Sequence, residues 1–281
     1  MIDQANSFSG GRQYVLDSEL AQIVNVSMVL EMPLLLKGEP GTGKTMLAHA
    51  IAENLKMELI VLNVKSSMKL IDALYQYDTL TRLNDSRFGD SNRNVSNINE
   101  YIKMSKIGQA FTTEQRVVLL IDEIDKADTD FQDDMLDILD QMQFDIIETD
   151  ETVHAKKRPV IIITSNAKKD LSDPFLGRCN FHHIAFPDPK MMRKIVGVHF
   201  PGLDEKLAKD AISTFYKLRE IEGIEKRPAT RELINWLRAL AADPDFKAGK
   251  MIGKEVPFLG ILFKKSSDYE KTAGLYGQGK S

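Results

Sequence analysis

The chain has 281 residues, 43% of them hydrophobic, enough for more than one folding unit around a buried core. Its 37 Lys and Arg stand against 41 Asp and Glu, a formal net charge of −4 that argues against a nucleic-acid binder, which usually carries a basic surplus or stripe. The single cysteine, Cys179, excludes an internal disulfide, and with no basic and apolar leader after Met1 and no apolar run long enough to span a bilayer, a cytoplasmic protein without a membrane segment is expected.

Glu19 to Leu30 places Leu20, Ile23, Val24, Met28 and Leu30 at helical spacing. Pro33-Leu34-Leu35-Leu36 is a short apolar run that reads as a strand. It leads into Gly38-Glu39-Pro40-Gly41-Thr42-Gly43-Lys44-Thr45, and a helical pattern begins near Met46. Strand, glycine loop and helix form the context in which a P-loop pattern is a phosphate site. The glycines let backbone N–H groups turn inward, and the helix N-terminus adds partial positive charge. Lys44 is expected to meet the β- and γ-phosphates and Thr45 to ligate Mg2+, with Gly38 to Met46 as the nucleotide-binding loop. A glycine turn that happens to end in Lys-Thr is the bland alternative, and the flanking strand and helix weigh against it.

Leu59 to Leu62 reads as the next strand. Lys65 to Thr113 is a long stretch between strands, with a turn-rich centre from Phe88 to Asn97 and seven Lys/Arg against five Asp/Glu. Its composition looks ill-suited to a core, and a connection of that length is usually functional; an ordered excursion covering the sheet edge is the alternative. Val117 to Ile121 is continuously apolar, as expected of a strand buried on both faces. Asp122 and Glu123 stand at its C-terminal end, where ligands collect in open α/β sheets. Asp122 suits a Mg2+ ligand, and Glu123 suits orienting or deprotonating an attacking water. A helix cap would explain the pair alone; downstream of a P-loop it indicates hydrolysis.

Thr129 to Gln143 is an amphipathic helix whose acidic face, Asp130, Asp133, Asp134, Asp137 and Asp140, is expected to be solvated. Phe144 to Val153 reads as a hairpin around Thr149-Asp150-Glu151. Pro159 to Ser165 is another buried strand, ending in Asn166, which could bond a γ-phosphate or a water, or merely form a turn. Leu171 to Phe181 carries Arg178; Cys179 beside it is expected to pack, and His182-His183 to be structural. Pro187-Asp188-Pro189 breaks the chain. Beyond it Pro189–Phe200, Asp204–Ile221 and Thr230–Ala241 are helical patterns, with Trp236 and Leu237 for a small core. Thr230 reads as the cap of the last helix, and Arg231 in its first turn opposes the helix dipole and wants an anion. After Pro244 the signal fades, and residues 246–281, rich in lysine, read first as a solvated tail, with a docking segment or a part of the lid as alternatives.

Taken in order, the glycine loop, Asp122-Glu123, Asn166, Arg178 and Arg231 resemble the Walker A, Walker B, sensor 1, arginine-finger and sensor 2 positions of AAA+ ATPases. The resemblance is closer still to the MoxR branch. It is carried by Pro33-Leu-Leu-Leu-Lys-Gly-Glu-Pro-Gly-Thr-Gly-Lys-Thr45, Val117-Val-Leu-Leu-Ile-Asp-Glu-Ile-Asp-Lys-Ala127, Ile162-Ile-Thr-Ser-Asn166 and Phe175-Leu-Gly-Arg-Cys-Asn-Phe-His-His183, and it covers roughly residues 12–242. It implies an α/β P-loop core over residues 1–187, with a five-stranded parallel sheet flanked by helices and a helix-2-type insert at about 65–113. A smaller helical lid over residues 188–245 would follow. It further implies ATP and Mg2+, Arg178 acting across a subunit boundary, Arg231 acting within its own chain, and Tyr14 and Val15 beside the adenine. Relatives often carry two adjacent arginines where this chain has Gly177-Arg178, so the finger rests on Arg178. The function implied is that of a homo-oligomeric, hexameric ring remodelling or maturing a protein client, alongside a partner with a von Willebrand factor A domain. An AAA+ nucleic-acid motor or loader is the alternative, and Lys156, Lys157 and Arg158 beside the hairpin are its basic candidates. A scaffold that barely hydrolyses is disfavoured by the intact Glu123 and Arg178.

Overall fold

The computed structural model describes residues 7–8, 10–11, 14–89, 93–166, 169–247 and 255–276. The chain forms two compact units: among the described residues the first takes in 7–8, 10–11, 16–38 and 44–184, and the second takes in 14–15, 39–43 and those from 185 onward.

In the first unit, α1 (Ser18–Leu30) starts where Asp17 accepts a hydrogen bond from the Glu19 N–H. β1 (Leu34–Lys37) and α2 (Lys44–Leu55) flank the glycine loop, and β2 (Leu59–Asn63) follows. The expected insert is occupied by α3 (Leu70–Leu74), β3 (Tyr75–Tyr77), α4 (Thr79–Phe88), a 3-10 turn (Ile98–Tyr101), β4 (Ile102–Met104) and α5 (Lys106–Thr112). β5 (Val118–Asp122) passes through a second 3-10 turn (Ile124–Lys126) into α6 (Thr129–Gln141). Asp128 caps α6 by accepting from the Phe131 N–H at 2.9 Å. β6 (Gln143–Ile146) and β7 (Glu151–His154) pair antiparallel as the expected hairpin, with Phe144 opposite Val153. β8 (Val160–Ser165), α7 (Asp173–Gly177) and β9 (Asn180–His183) complete the unit.

Five strands form one parallel sheet in the order β2-β5-β8-β1-β9. The apolar runs of β1, β5 and β8 are buried along their length, because helices cover the sheet and leave no wet face. Leu35, Leu119, Ile121, Ile161 and Ile163 share a core with Phe111 of α5 and Met135 and Leu139 of α6. The expected architecture is therefore present, with two differences inside it.

The flanks of the insert are core and not loop: Leu74, Tyr75, Ile107, Ala110 and Phe111 are all buried there, while α4 buries none of its residues. Apolar residues at both ends of a polar stretch were enough to fold it back onto the sheet. The acidic face of α6 is solvated as expected at Asp130, Asp134, Asp137 and Asp140, which are all exposed, but three of its carboxylates also have partners. Asp133 accepts from the Ser172 hydroxyl at 2.6 Å, and Asp137 and Asp140 pair with Arg178. Helical periodicity locates these charges on one face but does not reveal that α7 brings them partners.

The second unit is helical. α8 (Pro189–His199) is capped by Asp188 and α9 (Glu205–Arg219) by Asp204, each carboxylate accepting from a first-turn N–H. α10 (Thr230–Ala242), α11 (Pro244–Lys247), α12 (Leu259–Leu262) and α13 (Ser266–Tyr276) follow. The N-cap of α10 is Ala229, whose N–H donates to Glu232, so Thr230 is the first helical residue and not the cap. Trp236 and Leu237 are fully buried with Phe215, Phe246, Val256, Leu259 and Leu262. The Trp236 indole donates to the Pro257 carbonyl at 2.8 Å, and buried Asp268 accepts from the N–H groups of Glu225 and Lys226. Residues 255–276 thus belong to this helical core and are not a solvated tail. Sparse apolar residues among lysines hid the pattern, since lysine heads stay in water while their neighbours pack. Among the described residues, no helix is long and apolar enough to cross a membrane.

Candidate functional site

β1, β5 and β8 run parallel as neighbours, so the segments that leave their C-terminal ends emerge side by side. Leu36 lies opposite Thr164 and Ile121 opposite Ile163, which aligns the glycine loop, Asp122-Glu123 and Asn166 along one sheet edge.

In the glycine loop, Gly41 and Gly43 have φ of 81° and 95°, the region that glycine enters without steric cost. A Cβ at Gly41 would come within 2.6 Å of the Ala229 side chain, and one at Gly43 within 3.3 Å of the Tyr14 ring. Thr42 closes the turn by donating its hydroxyl to the Glu39 carbonyl at 3.0 Å. Lys44 is buried, and its ammonium donates to the Gly38 carbonyl at 2.8 Å. The Thr45 hydroxyl donates to both carboxylate oxygens of Asp122, at 3.0 and 3.2 Å. A hydroxyl and a carboxylate in contact are hard oxygen donors of the kind Mg2+ takes, and a buried ammonium in the first turn of a helix that follows a glycine loop suits a phosphate chain. The residues present fit a Mg2+–nucleotide.

A hydrogen-bonded chain links the other two strand ends. The Thr164 hydroxyl donates to Asp122 Oδ1 at 2.6 Å and accepts from the Glu123 N–H at 2.9 Å. Asn166 Nδ2 donates to Glu123 Oε1 at 2.8 Å, and the Asn166 N–H donates to buried Asp125 at 3.1 Å. The other Glu123 oxygen pairs with Lys126, whose pKa is raised above its ordinary value, chiefly by that hydrogen bond and then by the carboxylate charge. Glu123 itself has φ 60° and ψ 50°, a left-handed conformation rare for a residue with a side chain.

Thr164, Asp125 and Lys126 carry this arrangement, and sequence reasoning assigned none of them a part. A threonine inside a strand looks like an ordinary β-former, and only the register against β5 reveals its hydroxyl as a bridge. Arg219 was missed in the same way. It is buried at the end of α9, stacks 3.5 Å over the Phe186 ring, donates to the Pro228 carbonyl and pairs with Glu39 at 2.9 Å.

The remaining candidates fall into separate places. Tyr14 lies against Gly43, and burial raises the pKa of its phenol; Val15 is half-buried. Pro40 and Met46 are exposed on the loop and the first turn of α2. Arg178 follows α7 and is held by α6, away from the Glu123–Asn166 pair in its hydrogen bonding. Arg231 is exposed in the first turn of α10. The Thr230 hydroxyl beside it is buried without a hydrogen-bond partner among the described residues.

Solved structures share this fold. A proline-to-glycine mutant of Thermotoga maritima RuvB matches over 96% of this chain and 75% of its own, with 18% identity and a TM-score of 0.55. An alanine-to-serine mutant of the same protein matches over 95% and 73%, with 16% identity and a TM-score of 0.51. No curated protein matches the sequence. Residues 34–187 match the profile of the ATPase family associated with various cellular activities, AAA. That match takes in over half of the chain and contains the glycine loop, Asp122-Glu123 and Asn166, so this protein belongs to the AAA family and is an ATP-hydrolysing P-loop enzyme.

Proposed function

We propose that this AAA ATPase is a MoxR-type machine that couples ATP hydrolysis to the remodelling or maturation of a protein client. It works as a homo-oligomeric ring, a hexamer by resemblance, with a von Willebrand factor A domain protein as the expected partner. The observation that carries this reading is the insert: α4 buries nothing, and its Leu80 and Phe88 are 71% and 75% exposed. Large apolar side chains displayed on an exposed helix fit contact with another protein. The nucleic-acid-motor alternative draws on Lys156, Lys157 and Arg158 beside the hairpin. Against it, two of the three basic residues near the hairpin are engaged within the chain: Lys156 pairs with Glu114, and Arg158 donates to the Glu31 carbonyl.

Within the site, Lys44 meets the β- and γ-phosphates, and Thr45 with Asp122 would hold Mg2+. The metal, when bound, neutralises charge on the phosphate oxygens. Glu123 takes the proton of the attacking water, and Asn166 fixes the Glu123 carboxylate and the water beside it. Arg178 serves the neighbouring subunit's γ-phosphate, Arg231 serves its own, and Tyr14 with Val15 sits at the adenine. Residues 1–187 act as the core and those from 188 onward as the lid.

Replacing residues 87–97 by a short Gly-Ser linker tests the reading. Basal ATPase and assembly should persist, while partner-stimulated turnover should fall sharply. Unchanged partner affinity would place recognition elsewhere, and salt-sensitive binding of duplex DNA by the intact protein would favour the motor.

A further inference from the structure

Arg178 does not reach into solvent unaided. Its Nη1 lies 2.9 Å from Asp137 Oδ1 and its Nε 3.0 Å from Asp140 Oδ2, and its side chain remains 42% exposed. The two carboxylates are three residues apart on α6 and so lie on the same face of that helix. One turn above them Asp133 accepts from Ser172, the N-cap of α7. Both ends of α7 are therefore tied to α6, with Phe175 fully buried between the ties. α6 in turn begins six residues after Glu123.

We propose that Asp137 and Asp140 are positioning residues for Arg178: they hold one side of its guanidinium so that the far side faces outward, toward an adjacent subunit. This rests on the reading of Arg178 as the finger that acts in trans. A guanidinium has five donors in a planar fork, and the two ion pairs occupy Nε and Nη1 only. The remaining donors, on a side chain still partly exposed, are free to meet a phosphate oxygen. A clasp that sequestered the arginine would bury the fork, which this one does not. An unrestrained arginine has many rotamers to lose when it engages its target, and the carboxylates remove much of that freedom beforehand. Because α6 also follows directly from the Glu123 turn, the same helix links a subunit's own hydrolytic residue to the arginine it offers its neighbour.

The test is steady-state ATPase kinetics on the assembled full-length protein carrying Asp137→Asn with Asp140→Asn. The freed rotamers predict a fall in kcat of roughly tenfold, with KM for ATP and nucleotide affinity little changed. In an Arg178→Ala background the same pair of changes should cause no further fall, and Asp→Glu at both positions should restore part of the rate. A kcat that is unchanged or raised overturns the proposal, as does an additive fall in the Arg178→Ala background. Should the double variant not assemble, each single Asn variant is expected to lower kcat by about threefold, half of the effect on a logarithmic scale, and a wild-type rate in both again overturns it. If Arg178→Ala itself hydrolyses ATP at the wild-type rate, the finger reading fails. If Arg178→Ala is slow while the Asn variants are fast, only the positioning role fails.

Discussion

Asn166 donates its side-chain amide to Glu123 at 2.8 Å, joining the ends of two adjacent parallel strands. The bond leaves the Glu123 carboxylate with one oxygen on Asn166 and the other on Lys126. A carboxylate so held is oriented and keeps lone pairs on both oxygens that can accept from a water, as the proposed role of a base requires. Glu123→Gln should therefore keep ATP binding and lose turnover by about 10²–10⁴-fold. Asn166→Ala should cost turnover about 10²-fold with binding intact. Phosphate release and equilibrium nucleotide titration measure the two quantities, and wild-type turnover by Glu123→Gln would refute the assignment.

Lys44 carries the one buried ammonium of the glycine loop, and it rests on the Gly38 carbonyl. Lys44→Ala removes the charge that the proposed function sets against the β- and γ-phosphates. Binding of a fluorescent ATP analogue should fall below detection while thermal stability stays near wild type. Retained affinity would mean that the loop's N–H groups suffice.

Arg178→Ala should leave nucleotide binding intact and cut turnover by about 10³-fold or more. Mixing it with Glu123→Gln subunits should restore part of the activity, because some interfaces pair an intact Glu123 with a neighbour's intact Arg178. Confirmed mixed assemblies that stay inactive would argue for action within one chain.

Thr164 is 1% exposed, and its hydroxyl is shared between Asp122 and the Glu123 N–H. Thr164→Val keeps the shape but removes both bonds and leaves the part-buried Glu123 N–H without this acceptor, which costs about 1–3 kcal/mol. Urea unfolding should show that loss, and ATPase activity should drop with it. Thr164→Ser, which keeps the hydroxyl, should recover most of both.

Burial pushes the Cys179 thiol up to about 12 from an ordinary value of 9.0, with the charge of Asp140 adding to it. The raised value means that folding favours the protonated thiol. Its contribution to stability is complete below pH 9 and is lost as pH rises toward about 12. At pH 8 iodoacetamide should label the native protein far more slowly than the urea-unfolded chain. Equal rates would show that the thiol is not shielded.

The sheet was readable because β1, β5 and β8 are buried on both faces, which favours a continuous apolar run over most of each. The same constraint puts polar residues toward the C-terminal ends of β5 and β8, so Asp122, Glu123 and Asn166 stood out, while Thr164 and Ser165 inside β8 did not. What stayed hidden depends on register and on distant partners. Thr164 matters through its place opposite β5, and Asp137 and Asp140 matter through a residue about 40 positions away in sequence. The packing of Val256, Leu259 and Leu262 with Trp236 is also non-local, reaching beyond the roughly 11–18 residues over which periodicity is read.

The left-handed backbone at Glu123 sets the needs of the fold against those of the chemistry at a single residue. A side chain in that conformation costs about 1–2 kcal/mol, a strain that glycine would not feel. Glycine at position 123 would thus relax the main chain while deleting the carboxylate. Selection for stability alone would drift toward it, and a screen of position 123 for melting temperature should rank substitutions nearly opposite to a screen for ATP turnover.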